Sequence, residues 1–199
     1  MHHTIIRRTI NSGRLHDATG AFIPESKALR TLLIDRGDSV EMLDLNTKDA
    51  KRILKSTTPT DTLSVFCHGW PRRVEALPRW RLGAIKTARW MQRVGCEQLN
   101  LFACNAADHD SKKGNYSQMV AEACHQIGHI AQIFGHETSG HTTWNPNARF
   151  YWSTPQGIST ETLLSEERDE REAFADRMEN DQEYRLLLPF IFDIDNDEE

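Results

Sequence analysis

Apolar residues along this chain follow two patterns. Short continuous runs alternate with longer stretches where apolar residues recur every three or four positions. The clearest runs are Thr62-Leu63-Ser64-Val65-Phe66-Cys67, followed by His68-Gly69, and Leu99-Asn100-Leu101-Phe102-Ala103, followed by Cys104. Both are bounded by turn or polar residues, as expected of buried strands in a parallel sheet. Between them, Leu82 to Val94 has helical spacing. A strand, a crossover helix and a second strand form a right-handed unit with parallel strands. The carboxyl ends of the two strands then open at the same edge of the sheet, where open α/β sheets hold their ligands.

The remaining pattern extends this unit in both directions. Residues 4–10 predict a strand through Thr4, Ile5, Ile6, Thr9 and Ile10, and Asn11-Ser12-Gly13 predicts a turn. Pro24 to Arg36 predicts a helix, with Pro24 at its first position, a stripe of Ala28, Leu29, Leu32 and Leu33, and a stop at Gly37. Ser39 to Leu45 alternates as a strand with Val40, Met42 and Leu43 inward, and Asn46 or Thr47 caps a short helix to Lys55. Further on come a helix from Tyr116 to Ile127, a strand from His129 to Phe134 and another strand from Arg149 to Trp152. Thr160 to Arg185 predicts a long charged helix with a thin apolar face of Leu163, Leu164, Ala173, Phe174 and Met178. The alternation of strands and helices predicts an α/β fold, a mostly parallel central sheet with helices on both faces. The expected division is an α/β domain over residues 1–159 and an acidic helical C-terminal extension over 160–199. That extension carries the apolar segment Leu186 to Phe192 and a mobile acidic tail from Asp193 to Glu199.

Composition sharpens this picture in three places. A chain of 199 residues suits one domain with a small appendage. Its apolar content of 38% can build a core, and a mean hydropathy of -0.60 signals a broad polar surface. No run approaches the length that spans a membrane, and Met1-His2-His3-Thr4-Ile5-Ile6-Arg7-Arg8 lacks the apolar stretch of a signal peptide, so a cytoplasmic protein is expected. The four cysteines, Cys67, Cys96, Cys104 and Cys124, show no CxxC or zinc-type pairing, and reduced thiols are expected. The formal charge of -5 hides an asymmetry: residues 160–199 hold 15 acidic and 4 basic side chains, a net of -11, against +6 for residues 1–159. An acidic end of this kind solvates the chain, lies across the basic body or meets a basic partner.

The candidate chemistry lies at the ends of the two apolar runs. A cysteine attacks as its thiolate, and an adjacent imidazole accepts the thiol proton. Cys104 ends an apolar strand and meets a polar loop; His68 ends its neighbour one crossover earlier. Gly69 lets the backbone approach a substrate closely, and the N–H groups of Gly69 and Cys104 are expected to form the oxyanion hole. A lone cysteine in an apolar strand is more often packing, and a lone histidine after a strand is more often a loop residue. It is their pairing on adjacent parallel strands that favours a dyad.

Phe66-Cys67-His68-Gly69 and Leu101-Phe102-Ala103-Cys104 resemble the two catalytic motifs of caspase-like cysteine peptidases, which include caspases, metacaspases, gingipains, clostripain, legumain, separase and the bacterial CHAT domains. In that family one apolar strand ends in His-Gly and the next parallel strand in an Ala-Cys or similar nucleophile; the order His before Cys also matches. The resemblance covers residues 38–144. It implies a caspase-like three-layer sandwich, His68 as general base, Cys104 as nucleophile, a thioester acyl-enzyme, a protein or peptide substrate, and no metal or organic cofactor. Phe102 stands where relatives with a basic-residue preference carry an acid, and Asn105-Ala106 replaces the Arg-Gly that follows the caspase nucleophile, so cleavage preference does not carry over. Candidate substrate contacts are Asp108 and Asp110 for a basic side chain, Arg72, Arg73 and Arg79 for an acidic one, and Trp144, after the next strand, as a stacking wall.

Other functions were weighed against the same residues. His136, Glu137 and His141 depart from HExxH spacing and lack a completing ligand, which argues against a metal site. His68-Gly69-Trp70-Pro71 resembles an α/β-hydrolase oxyanion loop, with Cys104 in place of serine and His136 or His141 as the base. The G-x-S-x-G elbow is absent, however, and Phe102 is too bulky for it. The Arg and Trp cluster at residues 70–93 is a weak nucleic-acid signal, opposed by the acidic tail and the lack of a dense basic run. A catalytically inactive binding or assembly module is the remaining alternative, with the apolar C-terminal segment either docking a partner protein or closing over the protein's own sheet.

Overall fold

The computed structural model describes residues 1–7, 19–44, 54–78, 80–112, 114–138 and 145–180. Its centre is a sheet of seven strands: β1 (His2–Arg7), β2 (Ser39–Asp44), β3 (Thr62–Phe66), β6 (Gln98–Phe102), β7 (Ala131–His136), β8 (Ala148–Thr154) and β9 (Gly157–Thr162). They stand in the order β2-β1-β3-β6-β7-β8-β9. The first five neighbours are mutually parallel; β8 and β9 return antiparallel along one edge. Two further short strands, β4 (Gly69–Trp70) and β5 (Arg73–Val74), form a small hairpin directly after His68. The described helices are α1 (Thr19–Asp35), α2 (Trp80–Val94), α3 (Tyr116–Gln126) and α4 (Ser165–Asn180).

Strand alternation sorts the apolar residues into two cores. Leu63, Val65, Leu99, Leu101, Ala131 and Ile133 face the buried sides of α2 and α3, where Ala84, Ala88, Met91, Val120 and Cys124 close the layer. Ile5, Phe66, Phe102 and Phe134 point the other way and meet Phe22 and Leu33 of α1, together with Leu163. Strands β3 and β6 are buried on both faces at their carboxyl ends, where Val65-Phe66 and Leu101-Phe102 are continuous apolar pairs; nearer the amino ends the α1 side carries Ser64 and Asn100, joined by a hydrogen bond of 3.3 Å. Helices thus lie on both sides of a mostly parallel sheet, as the sequence pattern predicts.

The chain passes from β1 through α1 outward to β2. It then returns beside β1 and winds the other way through β3, α2, β6, α3 and β7. Right-handed crossovers taken in opposite directions place their helices on opposite faces, which accounts for the two cores. The reversal makes the boundary between β1 and β3 a switch point, and open α/β sheets bind ligands at the carboxyl ends of strands beside such a point.

Several expected elements differ in detail. Helix α1 starts at Thr19, well before Pro24, and its buried stripe is Phe22, Ser26 and Leu33 with Leu29 partly covered; Leu32 is exposed. Strand β7 runs to His136, which places that residue in the sheet rather than in the loop beyond it. Residues 157–162 form strand β9, where a charged helix was expected from Thr160; pairing with β8 overrides the helical spacing, and the helix begins only at Ser165. Of its expected apolar face, Leu163 is buried but lies before the helix, and Leu164 and Ala173 are exposed. The turn at 11–13, most of the short helix before Lys55, Trp144, the apolar segment 186–192 and the acidic tail lie outside the described residues. No described helix is long and apolar enough to cross a membrane.

Candidate functional site

The register of β3 and β6 sets the geometry. Phe66 pairs with Phe102, and their rings stack with centroids 4.6 Å apart on the α1 side of the sheet. Two residues further along each chain, just past the paired ends, stand His68 and Cys104. Alternation sends Cys67 into the α2 and α3 core and His68 to the α1 side, where its ring meets Phe22 edge-on at 5.5 Å. Cys104 is partly exposed, whereas Cys67, Cys96 and Cys124 are fully buried. Burial pushes the thiols of Cys96 and Cys124 up to about 12, so both remain protonated and inert at neutral pH.

Direct contact between the two strand ends is visible at Gly69. A Cβ built there would lie 2.5 Å from the Cys104 carbonyl oxygen and 2.9 Å from the Ala103 Cβ. Only glycine allows this approach, so the backbone after His68 is packed onto the backbone at Cys104. The Glu75 N–H donates to the His68 carbonyl at 3.0 Å, which makes His68 and Glu75 a hydrogen-bonded pair of the hairpin. Gly69 and Val74 are the next pair and therefore a non-hydrogen-bonded one, which turns the Gly69 N–H away from β5.

The imidazole of His68 is half-buried, and its Nε2 is sequestered without a hydrogen-bond partner among the described residues. Trp70 follows at a ring separation of 6.4 Å and carries the Arg73 guanidinium 4.6 Å over its face. Arg72 stacks in the same way on Trp80, at 5.0 Å. These arginines therefore lie against exposed tryptophans on the rim beyond His68.

Beyond Cys104 the chain turns sharply. Asn105 has a φ of 56°, a left-handed conformation that asparagine tolerates better than most residues. Its N–H donates to the Thr138 carbonyl at 3.0 Å, and the Ala107 N–H donates to the His136 carbonyl at 2.9 Å. Asn115, buried at the N-cap of α3, ties this turn to the scaffold. Its Oδ1 accepts from the Gln118 N–H at 2.8 Å, and its Nδ2 donates to the Asp108 carbonyl at 3.2 Å and the Tyr151 hydroxyl at 2.7 Å. The next residue, Tyr116, anchors the other loop: its N–H donates to Pro71 O at 2.6 Å and its hydroxyl to Pro78 O at 3.0 Å. The start of α3 thus fixes both the loop after His68 and the loop after Cys104.

Two of the expected substrate contacts, Asp108 and Asp110, lie in the loop after Cys104. Asp108 accepts the Asp110 N–H at 3.0 Å and shapes its own loop, and the exposed Asp110 lies 3.3 Å from His109. Glu137 is bridged to Arg149 at 2.7 Å and to His109 at 2.8 Å. His136 points to the opposite side of β7 from Glu137, fully buried beside Phe102 and Phe134, so the two do not converge on one ligand. Among the described residues no group of three or more His, Cys, Asp or Glu side chains is arranged to hold a metal. Asn115 and Tyr116 were not singled out from the sequence, although Asn115 directly before a helical run is an N-cap signal.

No protein-family model matches the chain, and no curated protein is significantly similar to it.

Proposed function

We propose that this protein is a caspase-like cysteine peptidase in which Cys104 is the nucleophile and His68 the general base. The observation that carries this reading is the β3–β6 register, with Gly69 packed on the Cys104 carbonyl. Together they bring a half-buried imidazole and the one solvent-accessible thiol of the cysteine set to neighbouring strand ends beside the switch point.

The reaction follows from these groups. Cys104 Sγ attacks the scissile carbonyl carbon while His68 takes the thiol proton. The carbonyl oxygen becomes an oxyanion held by the N–H groups of Gly69 and Cys104. Collapse breaks the C–N bond, and protonated His68 returns its proton to the leaving amine. The resulting thioester is hydrolysed by water, with His68 accepting a proton from that water. Trp70 and its stacked arginine line the rim against which a peptide would lie.

The test is labelling by a panel of peptidyl thiol-reactive probes, in wild type, Cys104→Ala and His68→Ala. Labelling is expected at Cys104, dependent on the peptide, and reduced at least about a hundred-fold without His68. An inert Cys104 alongside equal reaction of other cysteines would favour the non-catalytic binding module. Reaction with small ester probes and none with peptides would favour an α/β-hydrolase chemistry.

A further inference from the structure

A second site lies on the outer flank of α2, apart from the dyad. A groove of about 450 Å³ runs there between the helix and the segment leading into β3, where Leu54 and Lys55 form part of its wall. Lys86, Arg89 and Arg93 border it from α2, and Pro78 closes it further along. Spaced by three and four residues, the helical cations form one stripe along the groove. Among the described residues no acidic side chain lines the groove, and none of these four cations is paired with a carboxylate. Arg93 is held in place by donating to the Leu54 carbonyl at 2.5 Å and the Ser56 carbonyl at 3.4 Å.

Trp90 supplies an independent observation. It lines the same groove and is 2% exposed, yet its buried Nε1–H has no acceptor among the described residues. A buried donor without a partner is costly and uncommon in folded proteins.

We infer that this groove binds a small oligophosphate anion. Four clustered positive charges suit a ligand bearing several negative ones, and guanidinium forks match phosphate oxygens in geometry as well as charge. The volume suits a small molecule. The groove flanks the amino-terminal approach to β3, whereas His68 and Cys104 stand at the carboxyl ends of the strands, so the inference does not rest on the peptidase reading.

The test is isothermal titration of the full chain with inorganic tripolyphosphate at low salt, against citrate as a polycarboxylate control. Single-site binding is expected, weakened by about ten-fold in Lys86→Ala and again in Arg89→Ala, both exposed positions that leave the core intact. No saturable heat up to about 1 mM tripolyphosphate would overturn the inference. So would unchanged affinity after reversing both Lys86 and Arg89 to Glu, or citrate binding as tightly as tripolyphosphate.

Discussion

Replacing Gly69 by alanine tests the close packing of the two chain segments that carry His68 and Cys104. The new methyl carbon would meet the Cys104 carbonyl oxygen at 2.5 Å and the Ala103 carbonyl carbon at 3.0 Å. An ordinary carbon–oxygen contact is about 3.4 Å, so the overlap with Cys104 is roughly 0.9 Å. Both obstacles are backbone, and Ala103 is locked in the core, so no flexible side chain can yield. The hairpin of β4 and β5 must move instead. Overpacking of this kind costs about 1–3 kcal/mol, which urea unfolding of the variant would register as a lower midpoint with an unchanged slope. His68 precedes Gly69 directly and would shift with it. A displacement of about 1 Å between reacting groups lowers rate by roughly a hundred-fold, read as slower labelling of Cys104 by a peptidyl probe. Stability within about 0.5 kcal/mol of wild type, together with unchanged labelling, would refute the close packing of these two strand ends.

Three other outcomes follow from the same structure. Asn115→Ala removes the N-cap of α3 and strands the buried Tyr151 hydroxyl; a loss of about 2–4 kcal/mol is expected in urea unfolding, and Asn115→Asp, which keeps only the cap acceptor, should recover part of it. Tyr116→Phe removes the bond to the Pro78 carbonyl and should cost about 1–2 kcal/mol by the same assay. Burial raises the Cys96 and Cys124 thiols from 9.0 to about 12. Above pH 9 the unfolded chain therefore loses protons that the folded chain keeps, so stability is intact below pH 9 and falls as pH rises toward 12, by about 1.4 kcal/mol per pH unit for each thiol. Unfolding measured from pH 8 to 10.5 should show a shallower decline in Cys96→Ala and Cys124→Ala, and an unchanged slope in both would contradict their burial.

Much of the fold was legible in the chain itself. The runs at residues 62–67 and 99–103 announce buried parallel strands because both of their faces are covered by helices, and the 82–94 spacing announces the helix between them. Local pattern was equally sufficient for the helix beginning at Tyr116, whose asparagine cap and glycine stop are both written in the sequence. Placing His68 and Cys104 at strand ends followed from the same periodicity.

Only the tertiary structure decided what local pattern leaves open. Residues 157–162 carry no decisive period of their own; pairing with β8 makes them a strand, since an edge can satisfy backbone groups that a short isolated helix would satisfy less well. His136 joined β7 because Phe102 and Phe134 bury it, a fact about neighbours distant in sequence. The strand order, the switch between β1 and β3, and the register that pairs Phe66 with Phe102 are long-range choices made by packing two cores at once. The groove along α2 is of the same kind: four cations spread over residues 55–93 line one groove only when the chain is folded. Sequence specifies each element through the residues it contains, but a site needs elements brought together, and burial summed over the whole chain is what selects that arrangement.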